Sequence, residues 1–200
     1  MDTNIILIGP SGAGKTTIAA LLGEGLSRPV VELDQIRWKY YNEIGYDANY
    51  AQRLREEQGM KGLAAYWKPF DIHAVERVLA DYPSNCIISF GAGHSVYEDD
   101  GMLERAKQAL KSHTVIFLVP CPNVDESLEI IGQRLLAKEP HLGMEFIQVI
   151  SEINRFFLEH RSNSTLATMT IYTKDKQPQD TSQEIIEWLN ARSASEAYHG

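Results

Sequence analysis

Cysteine is scarce in this 200-residue chain: only Cys86 and Cys121 occur, each in or beside an apolar run. That excludes a disulfide-held scaffold and fits buried thiols in a reducing compartment, so a cytoplasmic protein is expected. Long apolar runs are also missing. "TVIFLV" at 114–119 is among the longest and is far too short to cross a bilayer. No basic segment followed by an extended apolar stretch opens the chain, so its start does not read as a secretory signal. There is no internal repeat, no low-complexity tract and no linker rich in Pro, Gly and Ser, and a single domain over 1–200 is expected. Positive charge is in deficit, with 19 Lys and Arg against 27 Asp and Glu and a formal net charge of −8. An acidic surface opposes non-specific binding to nucleic acid or to an anionic membrane, so neither is expected as a partner. It does not oppose a local pocket for a phosphorylated ligand, which needs only a few cations and some backbone amides.

What the chain does contain is an alternation of short apolar runs and longer helical ones. "NIILIG" (4–9), "PVVEL" (29–33), "CIISF" (86–90), "TVIFLV" (114–119) and "TMTIYT" (168–173) read as strands. Helical patterns cover 15–27, 71–81, 102–111, 124–138, 144–160 and 180–192. Continuously apolar strands separated by helices predict an α/β fold, a parallel sheet covered on both faces. The stretch 35–70 stands apart, with Trp38, Tyr40, Tyr41, Tyr46, Tyr66, Trp67 and Phe70 among many charges. It reads either as a helical insertion with its own aromatic core or as a lobe that meets a substrate, and the two are compatible.

Gly9-Pro10-Ser11-Gly12-Ala13-Gly14-Lys15-Thr16 fits G-x-x-x-x-G-K-[ST] without a mismatch, after a strand and before a helix. Gly9, Gly12 and Gly14 let the backbone curl, so that the amides from Ser11 and Ala13 through to Thr17 face a phosphate. The helix behind them presents its positive end. Lys15 is placed to reach the β and γ phosphates, and the Thr16 hydroxyl to ligate Mg²⁺. ATP and Mg²⁺ are therefore the expected ligands. The loop alone does not name a reaction. The chain has no N-K-x-D guanine signature and no ordinary run of four apolar residues ending in Asp-Glu.

Four stretches carry a resemblance. The loop "GPSGAGKTT", the "ELD" closing the second strand, the "GAG" after the third, and the block "FLVPCPNVDESLEIIGQRL" are similar to shikimate kinase and its relatives among the small P-loop kinases. So is the tail "LEHRSNSTLATMTIYTKDKQPQDTSQEIIEWL". The resemblance implies a three-layer P-loop fold with five parallel strands in the order 2-3-1-4-5. The stretch 35–70 becomes an acceptor-binding lobe inserted after strand two, and 138–160 a lid equivalent with its helix.

The implied activity is transfer of the γ-phosphate of ATP to a hydroxyl of a small, cyclic acceptor. Lys15, Asp34 and Arg134 take the catalytic roles. Glu32 joins Thr16 near the metal, and Asp34 binds the acceptor hydroxyl and takes its proton; spacing of two along an extended segment would put both acids on one side. The other reading of Asp34 is a cap on a helix starting near Gln35. Gly91, Ala92 and Gly93 replace the family's three glycines beside the acceptor, and His94 follows them. Arg134 matches an arginine that reaches the ATP phosphates, and Arg161 one that sits near the base.

The departures concern the acceptor. The family holds the shikimate carboxylate with two arginines. Here Ile72 and His73 stand at its phenylalanine-arginine pair, and "LLAKEPHLGMEF" lacks its arginine-bearing lid motif. A guanidinium clamp is hard to replace with one imidazole. Lys61, Lys68, Arg53 and Arg55 are the candidates to substitute. Two other functions stay open: a nucleoside or nucleotide kinase with the aromatic lobe stacking a base, and an ATP-binding regulatory protein. The chain is expected as a monomer or homodimer.

Overall fold

Ile5 to Ile8 are all buried, which is why they form the central strand β1 (Ile5–Ile8) of a sheet covered on both faces. The computed structural model describes residues 3–141 and 143–199. The strands β2 (Val30–Glu32), β3 (Ile87–Ser89), β4 (Thr114–Val119) and β5 (Met169–Tyr172) complete a five-stranded parallel sheet in the order β2-β3-β1-β4-β5. Ile5 stands opposite Ile87 on one side and Thr114 on the other, and Ile116 opposite Met169. The expected sheet and its order are thus those observed.

Alternate residues of each strand feed two cores. Ile5, Leu7, Ile87, Ile116, Leu118 and Ile171 pack against α1 (Lys15–Leu26) and α8 (Pro178–His199). Ile6, Ile8, Val31, Ile88, Val115 and Phe117 pack on the opposite face against α2 (Leu33–Glu43), α3 (Ala48–Asp81) and α4 (Asp100–Leu110). The remaining helices are α5 (Val124–Lys138), α6 (Met144–Glu159) and the short α7 (Arg161–Leu166). Side chains start several of them: Asp99 accepts from Met102 N–H at 2.8 Å, and Asn123 from Glu126 N–H at 2.9 Å. No described helix is long and apolar enough to cross a membrane. Cys86 and Cys121 are buried and free.

The segment 35–70 is a helical hairpin joined to the crossover, with no boundary at residue 70. The helix expected at 71–81 is the end of α3, which begins at an Asp47 cap accepting from Asn49 and Tyr50 N–H and is interrupted at Gly59 (φ 66°, ψ −161°). The aromatics hold the hairpin together. Tyr46 touches the rings of Trp38, Tyr41, Tyr66 and Phe70 at 5.3–5.8 Å, and Tyr40 and Tyr41 are fully buried. Most of these rings therefore form a small core, and each such contact adds about 0.5–1.5 kcal/mol beyond burial. Between α5 and α6 lie only residues 139–143. The expected lid equivalent 138–160 is thus mostly α6, and Leu142 within it lies outside the described residues.

Candidate active site

All five strands are parallel, so their carboxyl ends open on one rim, where ligands of such sheets bind. A cavity of about 490 Å³ lies there. Its lining includes the loop 11–14 and the start of α1, Glu32 and Asp34, Ser89, Phe90 and Ala92, and Arg134, Lys138 and Thr173.

The loop after β1 has the curled backbone its sequence implies. Gly9 has φ 144°, and a side chain there would run into the Leu118 carbonyl, so the residue is glycine on two counts. Gly14 precedes α1 in the left-handed region, with no side chain capping the helix. Its first amides are therefore left for a ligand. Lys15 is buried, and its Nζ donates to the Gly9 and Pro10 carbonyls at 2.8 Å each. Burial pulls its pKa down to about 8, with the negative charge of Asp34 opposing the shift. One residue that supports this loop carries no signal in the sequence. Asn154 on α6 is fully buried and grips the loop twice: its Oδ1 accepts from Ser11 N–H at 2.9 Å and its Nδ2 donates to the Ser11 carbonyl at 3.0 Å. No motif marks an asparagine 143 residues away.

Thr16 Oγ1 donates to Glu32 Oε2 at 3.3 Å. A hydroxyl and a carboxylate side by side at a phosphate loop fit Mg²⁺, which takes few protein ligands and completes its shell with phosphate oxygens and water. No cluster of three acidic, histidine or cysteine residues that could hold a metal occurs among the described residues.

Asp34 faces the same cavity, by a different route from the one expected. Glu32 ends β2 and is the N-cap position of α2, while Asp34 is in the first helical turn. The strand-to-helix junction, not an extended segment, aims both acids at the cavity. Asp34 is not the cap of its helix. Its carboxylate lies against Gly91, where any Cβ would collide with it. Arg37 Nη1 stands 3.4 Å from its Oδ1. Gly91→Ala must therefore displace the carboxylate, and we expect it to lower phosphoryl transfer by about 100-fold while leaving nucleotide affinity unchanged, as judged by turnover and calorimetry side by side.

Behind Asp34 lies a polar cluster that the sequence did not reveal as a unit. Buried Asp71 accepts from the Tyr41 hydroxyl and from Lys68 Nζ at 3.1 Å. Lys68 Nζ also donates to the Gly93 carbonyl at 2.8 Å. His94, buried, sits between Asp71 and Asp34. Arg37 lies over Trp38 at 4.4 Å and Trp67 at 5.0 Å. Burial, the Asp71 charge and its hydrogen bond push the Tyr41 hydroxyl far above the usual tyrosine range, so it remains a donor.

Three expected site residues stand elsewhere or in other company. His73 is directed away from the cavity to Glu43 (Nε2–Oε2 2.9 Å), because two residues on from Asp71 a helix has turned through more than half a circle. Arg161 pairs with Asp100 at the start of α4 and does not line the cavity. Arg134 does line it, but its Nη1 and Nη2 donate to the Thr173 hydroxyl and carbonyl at 3.0 Å, and burial lowers its pKa. Gly93 contacts the Lys68 cluster, while Ala92 faces the cavity.

The family model described as shikimate kinase matches residues 11–190. A shikimate kinase of Bacillus pumilus is 28% identical over 186 residues, covering 93% of this chain and 89% of that protein. A quinate repressor protein of Emericella nidulans is 25% identical over 190 residues, and there the chain spans 94% of itself but only 18% of the repressor. Among solved structures, shikimate kinase from Acinetobacter baumannii in complex with shikimate superposes with a TM-score of 0.64 at 22% identity, covering 96% of this chain and 95% of that one.

Proposed function

Since the chain belongs to the shikimate kinase family, whose members are ATP-dependent kinases acting on a hydroxyl of a small cyclic acceptor, we propose the following division of labour in its site. The amides from Ser11 to Thr17 and the Lys15 ammonium hold the polyphosphate of ATP. Thr16 and Glu32 hold Mg²⁺, which when bound neutralises phosphate charge. Asp34 accepts the proton of the attacking hydroxyl, and Gly91 and Ala92 give the acceptor room beside it. Arg134, Lys138 and Thr173 wall the nucleoside end. The observation that carries this reading is the convergence of Lys15, the Thr16–Glu32 pair and Asp34 on one cavity.

For the acceptor we propose a hydroxylated ring without a carboxylate. Of the cations beside Asp34, Lys68 is engaged by Asp71 and Gly93, and Arg37 is held by Asp34 and two indoles. No pair of arginines converges on the acceptor end of the cavity among its lining residues. Incubation with γ-labelled ATP, Mg²⁺ and a panel of cyclitols, sugars, nucleosides and shikimate tests this. Label should enter a neutral polyol at least about 100-fold faster than shikimate. Equal or faster labelling of shikimate contradicts the acceptor assignment.

The match to a repressor protein favours one other reading, an ATP-binding regulatory module. Such a protein binds ATP and labels no member of any panel. The constellation of Lys15, Thr16, Glu32 and Asp34 favours the enzyme.

A further inference from the structure

Buried polar atoms without a partner are rare and point to a function or to a missing ligand. Of the four such side-chain atoms among the described residues, three lie together beside Asp34: Arg37 Nε and both ring nitrogens of His94. The His94 side chain is 1% exposed, with Nε2 at 3.6 Å from Asp71 Oδ1 and Nδ1 at 4.0 Å from Asp34 Oδ1. Its ring neighbours those of Phe90 and Tyr41, at 6.4 and 6.5 Å between centroids. An imidazole held between two carboxylates, one of them the assigned base, is a poor choice for a packing residue. A phenylalanine would fill the space with no orphaned nitrogens.

We propose that His94 and Asp71 are a proton-holding pair behind Asp34: His94 takes the acceptor's proton from Asp34, and Asp71 fixes the tautomer that lets it do so. The inference rests on the reading of Asp34 as the base. Asp71, already oriented by Tyr41 and Lys68, faces Nε2, so Nε2 carries the proton and the Nδ1 lone pair faces Asp34. In the transfer the acceptor's O–H bond breaks and its oxygen bonds to the γ-phosphorus. The bond from that phosphorus to ADP breaks, with the electron pair leaving on ADP. The proton passes to Asp34 Oδ1 and from there to His94 Nδ1. The imidazolium formed stands between Asp71 and an Asp34 restored to its anion, and as products depart its proton returns through Asp34, the exposed member of the pair, to solvent. The Asp34 side chain is 58% exposed, so a swing of about 1 Å brings it within hydrogen-bond reach of Nδ1.

The groups facing His94 are Asp34, Arg37 and Tyr41 from α2 and Lys68 and Asp71 from α3. Burial holds the ring below the ordinary histidine value, against the charges of Asp71 and Asp34 and with those of Arg37 and Lys68. At pH 7 it is neutral, the form able to accept.

The test is long-range ¹H–¹⁵N NMR of the histidine rings in the full chain, His94 being identified by its absence in His94→Gln. We expect wild-type His94 at pH 7.5 to carry its proton on Nε2 alone. In Asp71→Asn the ring should lose that preference and protonate only at lower pH. With MgATP and water as the acceptor, ADP formation in His94→Gln should fall about tenfold, with nucleotide affinity kept within twofold. A wild-type ring protonated on Nδ1, a tautomer indifferent to Asp71→Asn, or a His94→Gln protein as fast as wild type overturns the proposal. Failure of the underlying reading looks different, since Asp34→Asn would then turn over at the wild-type rate.

Discussion

Replacing Lys15 with methionine should abolish phosphate transfer and, at the same time, raise the melting temperature of the nucleotide-free protein. The first effect follows from position. Lys15 lines the cavity beside the loop after β1, and in the proposed site its removal takes a cation from the developing negative charge of the transition state. The second follows from burial. The Lys15 pKa falls to about 8 in the folded state because the ammonium is desolvated, and the folded protein therefore holds its proton less tightly than the unfolded chain. For a lysine depressed in this way, stability rises with pH between about 8 and 10. Below pH 8 the whole penalty is present, on the order of 3 kcal/mol. Methionine fills the same space without it. The lost hydrogen bonds to Gly9 and Pro10 offset part of the gain, which leaves an increase of about 3–8 °C at pH 7. The increase should shrink above pH 8 and vanish near pH 11. Calorimetric melting of both proteins across pH checks it. A methionine variant that melts lower than wild type at pH 7 contradicts a desolvation penalty on Lys15 larger than its hydrogen bonds.

Asp34→Asn carries the second large effect. The amide keeps the shape and loses the ability to accept a proton, so turnover should fall by about 10² to 10⁴. Nucleotide affinity should change little, because the proposed polyphosphate contacts lie in the loop after β1. A secondary signature follows from the charge itself. Asp34 raises the Lys15 pKa against the larger effect of burial, so its neutralisation should let Lys15 titrate still lower. Steady-state kinetics with nucleotide titration separates the two effects: a fall in turnover at constant ATP affinity is expected. A loss of affinity with unchanged turnover would assign Asp34 to binding instead.

The parts of this site that the sequence exposes are those held by local rules. The loop from Gly9 to Thr16 is legible because a curled anion cradle needs those glycines at that spacing, after a strand and before a helix. The sheet is legible because uninterrupted apolar runs such as "IILI" and "TVIFLV" have no polar face. Glu32 and Asp34 both line the cavity, through a geometry the sequence does not show. The cluster of Tyr41, Lys68, Asp71 and His94 was invisible as a unit because three separate segments assemble it. Tyr41 and Asp71 are brought together by the turn of the α2–α3 hairpin, and His94 by the 3₁₀ turn Ala92–Ser95 after β3. Alignment with a family motif points to His73. A helix that carries Asp71 into the site necessarily turns residue 73 toward Glu43. Order along the chain likewise points to Arg161 and does not record that α7 packs against α4.

The central claim is that the loop after β1 grips the polyphosphate of ATP through main-chain amides, one ammonium and a magnesium held by Thr16 and Glu32. Isothermal titration of ATP into the full chain, with and without Mg²⁺ and repeated on Lys15→Met, measures this directly. One site per chain is expected, strengthened by magnesium and weakened about 100-fold or more in the variant. Absence of binding heat with MgATP, or equal affinity in both proteins, contradicts the account.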